Sequence, residues 1–172
     1  DSLAMVMPVL EDARTICSLC DFKAARKTDQ AELQKIVTDE RAEFLGLALA
    51  EKFARVEQRY GVSCDVKDHI LSLMEVTKAL MTKEGVLTRE ETTDGQKLSL
   101  RIRSVKIVPG QESVQGGVNL VQQIGDSQRD LFVGEPIHFT KAEHIGALLT
   151  VGIFVTDILR GVQAYARKTG VS

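Results

Sequence analysis

The chain has 172 residues, 44% of them apolar and 27% charged, and carries a net charge of −2. That length and composition predict a single domain (1–172) with one core burying about 70% of its unfolded surface, and they exclude disordered and collagen-like classes. The near-neutral balance excludes a surface that is basic throughout, while leaving room for a local basic patch.

Leu3, Val6, Met7, Leu10, Ala13, Cys17 and Cys20 recur mostly at three- and four-residue steps. That period predicts a helix over 8–20, with Pro8 tolerated in the first turn. Asp29-Gln30-Ala31-Glu32 has the spacing of a capping box, and a single long helix is expected from it to Tyr60, closed by Gly61. Its apolar set includes Leu33, Ile36, Phe44, Leu45, Phe53, Val56 and Tyr60. A third helix, capped by Ser63 or Asp65, carries Val66, Ile70, Leu73, Met74, Leu80 and Met81 on one stripe and stops near Gly85.

The pattern then changes to alternation. Val86–Thr93 and Gln96–Val108 flank Asp94-Gly95, a strong hairpin signal because a type I′ turn needs positive φ at both central residues. Pairing across that turn places Leu87, Leu98, Leu100 and Ile102 on one face. Lys97, Ser99, Arg101 and Arg103 then fall on the other. After Arg103 the apolar positions change parity to Val105 and Ile107, which predicts a bulge or bend near Ser104. Gln111–Gly117 reads as a polar loop, 118–124 as a third strand, and 131–139 as a fourth, bent by Gly134 and Pro136. Thr140-Lys141-Ala142-Glu143 is a second capping box, opening a helix through Lys168 that is apolar around most of its circumference.

The fold class is therefore α+β: three N-terminal helices (1–85), then a four-stranded, mainly antiparallel sheet and a long apolar helix packed on it (86–172). The run 145–155 is shorter than a bilayer span, Asp157 and Arg160 follow it, and no basic leader is visible, so we expect a soluble protein without membrane contact. Three cysteines without disulfide-scaffold spacing predict a reducing, intracellular setting, whether cytoplasmic, organellar or virion interior.

Cys17-Ser-Leu-Cys20, with Cys64 and His69, has part of a zinc set. Both members of the CxxC fall on an apolar helix stripe, so a core role is expected instead. His138 and His144, beside Glu135 and Glu143, match no recognised ligand spacing. We expect no metal and no cofactor, and no catalytic motif is present.

The basic row Lys97, Arg101 and Arg103, extended by Lys106, contains no acid between 97 and 108. Such a row suits phosphates, and Phe132 and Phe139 offer bases a stacking surface. Its bland counterpart is the solvated face of a one-sided sheet, with Glu90 and Glu91 neutralising part of it. The final helix exceeds what a four-stranded sheet covers, so its other side is covered either by the three N-terminal helices or, as we favour, by a second subunit in a homo-oligomer through Gly146, Leu149, Gly152, Ile153 and Phe154, with Gly161 also permitting close approach.

The β-β-β-β-α order over 86–168 resembles that of small single-strand-binding modules of the Whirly kind. The resemblance is one of element order, without a signature motif. With the basic row, it implies a non-enzymatic oligomer that binds single-stranded DNA or RNA on the polar sheet face. The alternative is a structural, assembly or adaptor subunit, such as a scaffold or capsid-associated protein, acting through protein–protein contacts.

Overall fold

The computed structural model describes residues 2–82, 85–92, 95–110 and 120–171. In chain order it contains α1 (Val6–Ala24), α2 (Gln30–Leu45), α3 (Leu49–Tyr60), α4 (Lys67–Thr82), β1 (Lys97–Pro109), β2 (Leu120–Phe132) and α5 (Lys141–Lys168). Contacts divide the chain into two compact units, residues 1–67 with 151–172, and residues 68–150.

In the first unit α1 buries Val6, Leu10, Ala13, Cys17 and Cys20, the stripe read from the sequence. The expected helix from 29 to 60 is instead two helices. Asp29 caps α2 by accepting from the Ala31 N–H at 2.8 Å, while Glu32 pairs with Lys27 rather than reaching back to Asp29. The chain leaves α2 at Gly46, and Glu51 accepts from the Ala48 N–H at 2.9 Å to start α3. The elbow is held by Lys52, whose side chain is 1% exposed. Its ammonium donates to the carbonyls of Leu45 (2.8 Å), which the end of α2 otherwise leaves unsatisfied, and of Leu47 (2.5 Å) in the elbow itself.

Gly61, at φ 68°, ends α3 in the left-handed conformation that favours glycine. The later part of α5 presents Val151, Phe154, Ile158 and Val162 inward. Phe154 meets Phe53 edge-on with ring centroids 5.8 Å apart. Gly161 is required by close approach, since a Cβ there would lie 2.8 Å from Val62 Cγ1.

In the second unit β1 and β2 form an antiparallel ribbon. Among the described residues the sheet has two strands, not the four expected. β1 pairs with β2, so 86–93 is not its hairpin partner, and residues 89–91 form a 3-10 turn. Asp94 of the expected turn, and the 111–117 loop, lie outside the described residues. The 118–124 and 131–139 strands resolve into β2 for their parts within 120–132. Beyond it, Gly85–Leu87 and Gly134–Ile137 exchange three backbone hydrogen bonds of 2.6–3.2 Å without extending into strands. The basis for the resemblance to β-β-β-β-α modules is thereby removed.

The inward face was read correctly although its partner was not. Leu87, Leu98, Leu100 and Ile102 are all buried, and Leu131 of β2, not part of that reading, joins them. No bulge occurs at Ser104, because the register runs without a break from Lys97↔Phe132 to Pro109↔Leu120. The parity change is instead a change of apolar face along a continuous strand.

Two helix hydroxyls blunt the outer edge of β1. Ser72 Oγ of α4 donates to the Ser99 carbonyl (2.5 Å) and accepts from the Arg101 N–H (2.8 Å). Thr150 Oγ1 of α5 accepts from the Arg103 N–H at 2.8 Å and donates to the Gly146 carbonyl. Each hydroxyl does what a neighbouring strand would do, and so prevents further pairing there. Gly146 lets α5 come this close, because a Cβ at that position would lie 2.7 Å from the Arg103 carbonyl oxygen. The Thr140–Glu143 capping box forms as read, with Glu143 N–H donating to Thr140 Oγ1 at 3.2 Å and Thr140 N–H to Glu143 at 2.8 Å.

Candidate functional surface

The ribbon register assigns each candidate side chain to a face. Lys97, Ser99, Arg101, Arg103, Val105, Ile107 and Pro109 share the outer face with Phe132, Asp130, Gln128, Asp126, Ile124, Gln122 and Leu120. Acids from β2 therefore stand opposite the basic row. Lys97 bonds Asp130 at 2.6 Å, and Arg103 bonds Asp126 at 3.0 Å, an oxygen that His69 also reaches at 2.9 Å. Arg101 is exposed, and among the described residues its guanidinium makes no ion pair. Lys106 points to the opposite face and lays its stem across Gly125. Four basic residues that read as one row are thus two ion pairs, one open cation and one residue on the far face. The counter-charges were invisible because β2 was not recognised as the partner of β1.

Hydrogen bonds from Lys97, Ser99 and Gln128 hold the Asp130 carboxyl at about 2, below its ordinary 3.8. A depressed carboxyl contributes stability that is present above the unfolded value and lost as pH falls through the folded one. Carboxyl chemical shifts should therefore show Asp130 titrating near pH 2, its contribution to stability fading between about 4 and 2. Lys97→Met should move that midpoint up toward 3.8.

Phe132 is exposed on the outer face, opposite Lys97. Phe139 packs instead against the His144 ring, centroids 5.4 Å apart. His144 Nδ1 lies 3.0 Å from the Thr140 carbonyl, the His138 carbonyl accepts from Arg129, and Glu143 pairs with Arg129 at 2.9 Å. These groups are engaged in closing the turn into α5. Among the described residues no three His, Cys, Asp or Glu side chains gather to hold a metal. Burial pushes the Cys17 thiol up to about 12 and the Cys64 thiol to about 11, which keeps both protonated and poorly nucleophilic.

Each unit carries a concavity. One of about 550 Å³ lies between α4 and β1, lined by Asp68, Glu75, Ser72, Ser99 and Arg101. The other, about 600 Å³, lies in the helical unit and is lined by Ser18, Asp21, Glu40, Lys35 and Arg59. Their serines are committed elsewhere: Ser72 to the β1 edge, Ser99 to Asp130 at 2.7 Å, and Ser18 to the Tyr60 hydroxyl at 2.6 Å.

The distal ribbon is a different kind of surface. Val105, Ile107, Pro109, Leu120 and Ile124 are exposed together on its outer face, Ile107 at 66% and Leu120 at 70%. Gln122 is the polar residue among them, and no charge lies between the Arg103–Asp126 pair and the end of the ribbon on this face. Of the expected α5 interface, Phe154 is fully buried and Gly146 lies against β1, so neither is available to a partner. Leu149 and Ile153 are half-buried, while Gly152 is exposed. No family model matches this chain, and no match is found among curated proteins or solved structures.

Proposed function

We propose that this protein is a non-enzymatic assembly or adaptor subunit that docks another protein on the outer face of its distal β1–β2 ribbon. The observation that carries the reading is the uncharged apolar patch of Val105, Ile107, Pro109, Leu120 and Ile124. Contiguous exposed apolar surface of this kind is rare unless a partner covers it, and interface cores are depleted in charge. The partner surface is correspondingly apolar at its centre. Its polar rim meets Gln122 and the Arg103–Asp126 pair.

The nucleic-acid reading needs a phosphate track, and two of its cations already face carboxylates on the same ribbon. Phosphate would have to compete with Asp126 and Asp130.

A photo-crosslinking side chain placed at Ile107 should capture a discrete protein adduct in nuclease-treated extract. The same group at Gln123, on the opposite face, should not. The adduct should survive high salt and disappear with Ile124→Asp. Absence of an adduct from Ile107 would sink the reading. So would salt-sensitive binding of single-stranded oligonucleotides abolished by Arg101→Glu.

A further inference from the structure

The ribbon has two edges, and they are built differently. In an antiparallel pair alternate residues turn their N–H and C=O groups toward the neighbouring strand, and those between turn theirs away. On β1 the residues turned away are Ser99, Arg101 and Arg103, whose backbone groups meet the hydroxyls of Ser72 and Thr150. Beyond them come Val105 and Ile107, and then Pro109, which has no N–H to offer. That edge is closed along one half and stopped at its end.

The register carries the same phase onto β2. Ser99 stands opposite Asp130, Arg101 opposite Gln128 and Arg103 opposite Asp126, so the even-numbered residues of β2 turn their backbone groups to the free edge. Phe132 shows this phase directly: its N–H donates to the Glu135 carboxylate and its carbonyl accepts from the Glu135 N–H. From Asp130 to Leu120 the backbone groups on this edge have no hydrogen-bond partner among the described residues. Between Leu120 and Gly125 it also lacks the charges, prolines and bulges that protect natural edges against pairing. Only an extended backbone matches such a row, whose donors and acceptors repeat about every 6.8 Å.

The outer face determines which side chains that backbone would bring. Both ion pairs on this face are oriented alike. The acids, Asp126 and Asp130, stand on β2 beside the open edge, while Arg103 and Lys97 stand one strand further away on β1. Asp126 is 66% exposed, and its second carboxylate oxygen is unpartnered among the described residues. A strand laid along β2 therefore meets carboxylates at 130 and 126, then the exposed Ile124 and Leu120.

We propose that the docked protein supplies an extended segment that adds antiparallel to the open edge of β2, with lysine or arginine opposite Asp126 and Asp130 and apolar side chains opposite Ile124 and Leu120. The inference rests on the outer face being a docking surface, and gives that partner its conformation and its pattern. In this mode backbone hydrogen bonds supply affinity and alternate side chains supply specificity. An antiparallel strand is favoured because its hydrogen bonds run straight across.

The probe is a fluorescent peptide, Lys-Thr-Thr-Thr-Lys-Thr-Ile-Thr-Val-Thr-Ile, whose lysines align with Asp130 and Asp126. Its anisotropy should report saturable micromolar binding to the full chain. N-methylation of the first isoleucine and the valine, whose N–H groups face β2, should weaken binding at least about tenfold. N-methylation of the threonine after each should not. Exchanging both lysines for glutamate should weaken binding in a salt-sensitive way. On saturation the amides of Gln122, Ile124 and Asp126 should gain protection from hydrogen exchange. Those of Gln123 and Gly125, already turned to β1, should be protected with or without peptide.

Gln122→Pro removes one edge N–H without touching the bonds to β1. It should abolish both peptide binding and the adduct at Ile107, with unchanged circular dichroism. An Ile107 adduct that survives Gln122→Pro overturns the strand addition and leaves the docking surface standing. No Ile107 adduct in either protein sinks that surface itself. Failure of the peptide to bind overturns the proposal, as does binding indifferent to N-methylation. Protection of Ile124 that rises with protein concentration, without peptide, would assign the edge to a second copy and overturn it too.

Discussion

Phe154→Ala is expected to destabilise the protein by about 3–5 kcal/mol, the range for truncating a fully buried phenylalanine. The side chain is 0% exposed and packs edge-on against Phe53, with Val151 and Ile158 buried on the same stripe of α5. Truncation removes both the transfer free energy of the ring and its aromatic contact, and leaves a cavity lined by rigid neighbours. Urea unfolding should show the midpoint fall with an unchanged slope, and the thermal midpoint should drop by roughly 10 °C or more. Phe154→Leu, which keeps most of the volume, should lose less than half as much. The loss should not depend on protein concentration. A concentration-dependent loss would mean that Phe154 works at an interface after all, as the sequence pattern suggested.

That contrast shows how far the sequence could be read. In α5 the residues from 145 to 155 are nearly all apolar, so period alone does not say which stripe faces inward. The structure separates them: Thr150, Val151 and Phe154 inward, Ile145, Leu148 and Gly152 outward. Of the glycines that looked like close-approach points, Gly146 and Gly161 serve the chain's own packing and Gly152 does not. Sequence cannot make that distinction, because it depends on what lies opposite each Cβ.

Local signals carried well where one residue settles the geometry. The Thr140–Glu143 box, the Gly61 terminus and the buried face Leu98-Leu100-Ile102 form as read, and at Asp29 the cap forms without its Glu32 half. Pairing did not carry, because it is non-local. Asp94-Gly95 is a strong hairpin signal, yet β1 pairs across 110–119 with a strand whose sequence, Gln122-Gln123-Ile124-Gly125-Asp126-Ser127-Gln128, alternates weakly. Little apolar content advertises such a strand. Its role is fixed by thirteen residues of uninterrupted register. Once that partner is known, the basic row acquires Asp126 and Asp130, and the apolar ends of β1 and β2 come together on one face. The candidate surface was therefore present in the sequence only as separate halves.

The elbow at Gly46 was only half legible in the sequence: glycine marks a helix end, but Ala48 is a poor N-cap and does not announce the start of α3. What the sequence could not show is the residue that holds the elbow. Lys52→Met should destabilise the protein by about 2–4 kcal/mol, because the carbonyls of Leu45 at the end of α2 and of Leu47 in the elbow lose a shared buried donor that methionine cannot supply. Volume is nearly conserved, so the loss reports the polar contacts rather than a cavity. Phe44, whose ring faces the ammonium at 5.6 Å, also loses its cation.

Burial holds the Lys52 pKa below its ordinary 10.5. Just below pH 10.5 the unfolded chain therefore carries the proton that the folded one sheds, and folded stability from this group rises with pH through that window. The wild type should thus gain stability relative to Lys52→Met as pH climbs toward 10.5, measured by paired urea melts. A flat difference would mean that Lys52 keeps its proton as readily folded as unfolded. Equal stability at neutral pH would mean that solvent, not Lys52, satisfies the end of α2.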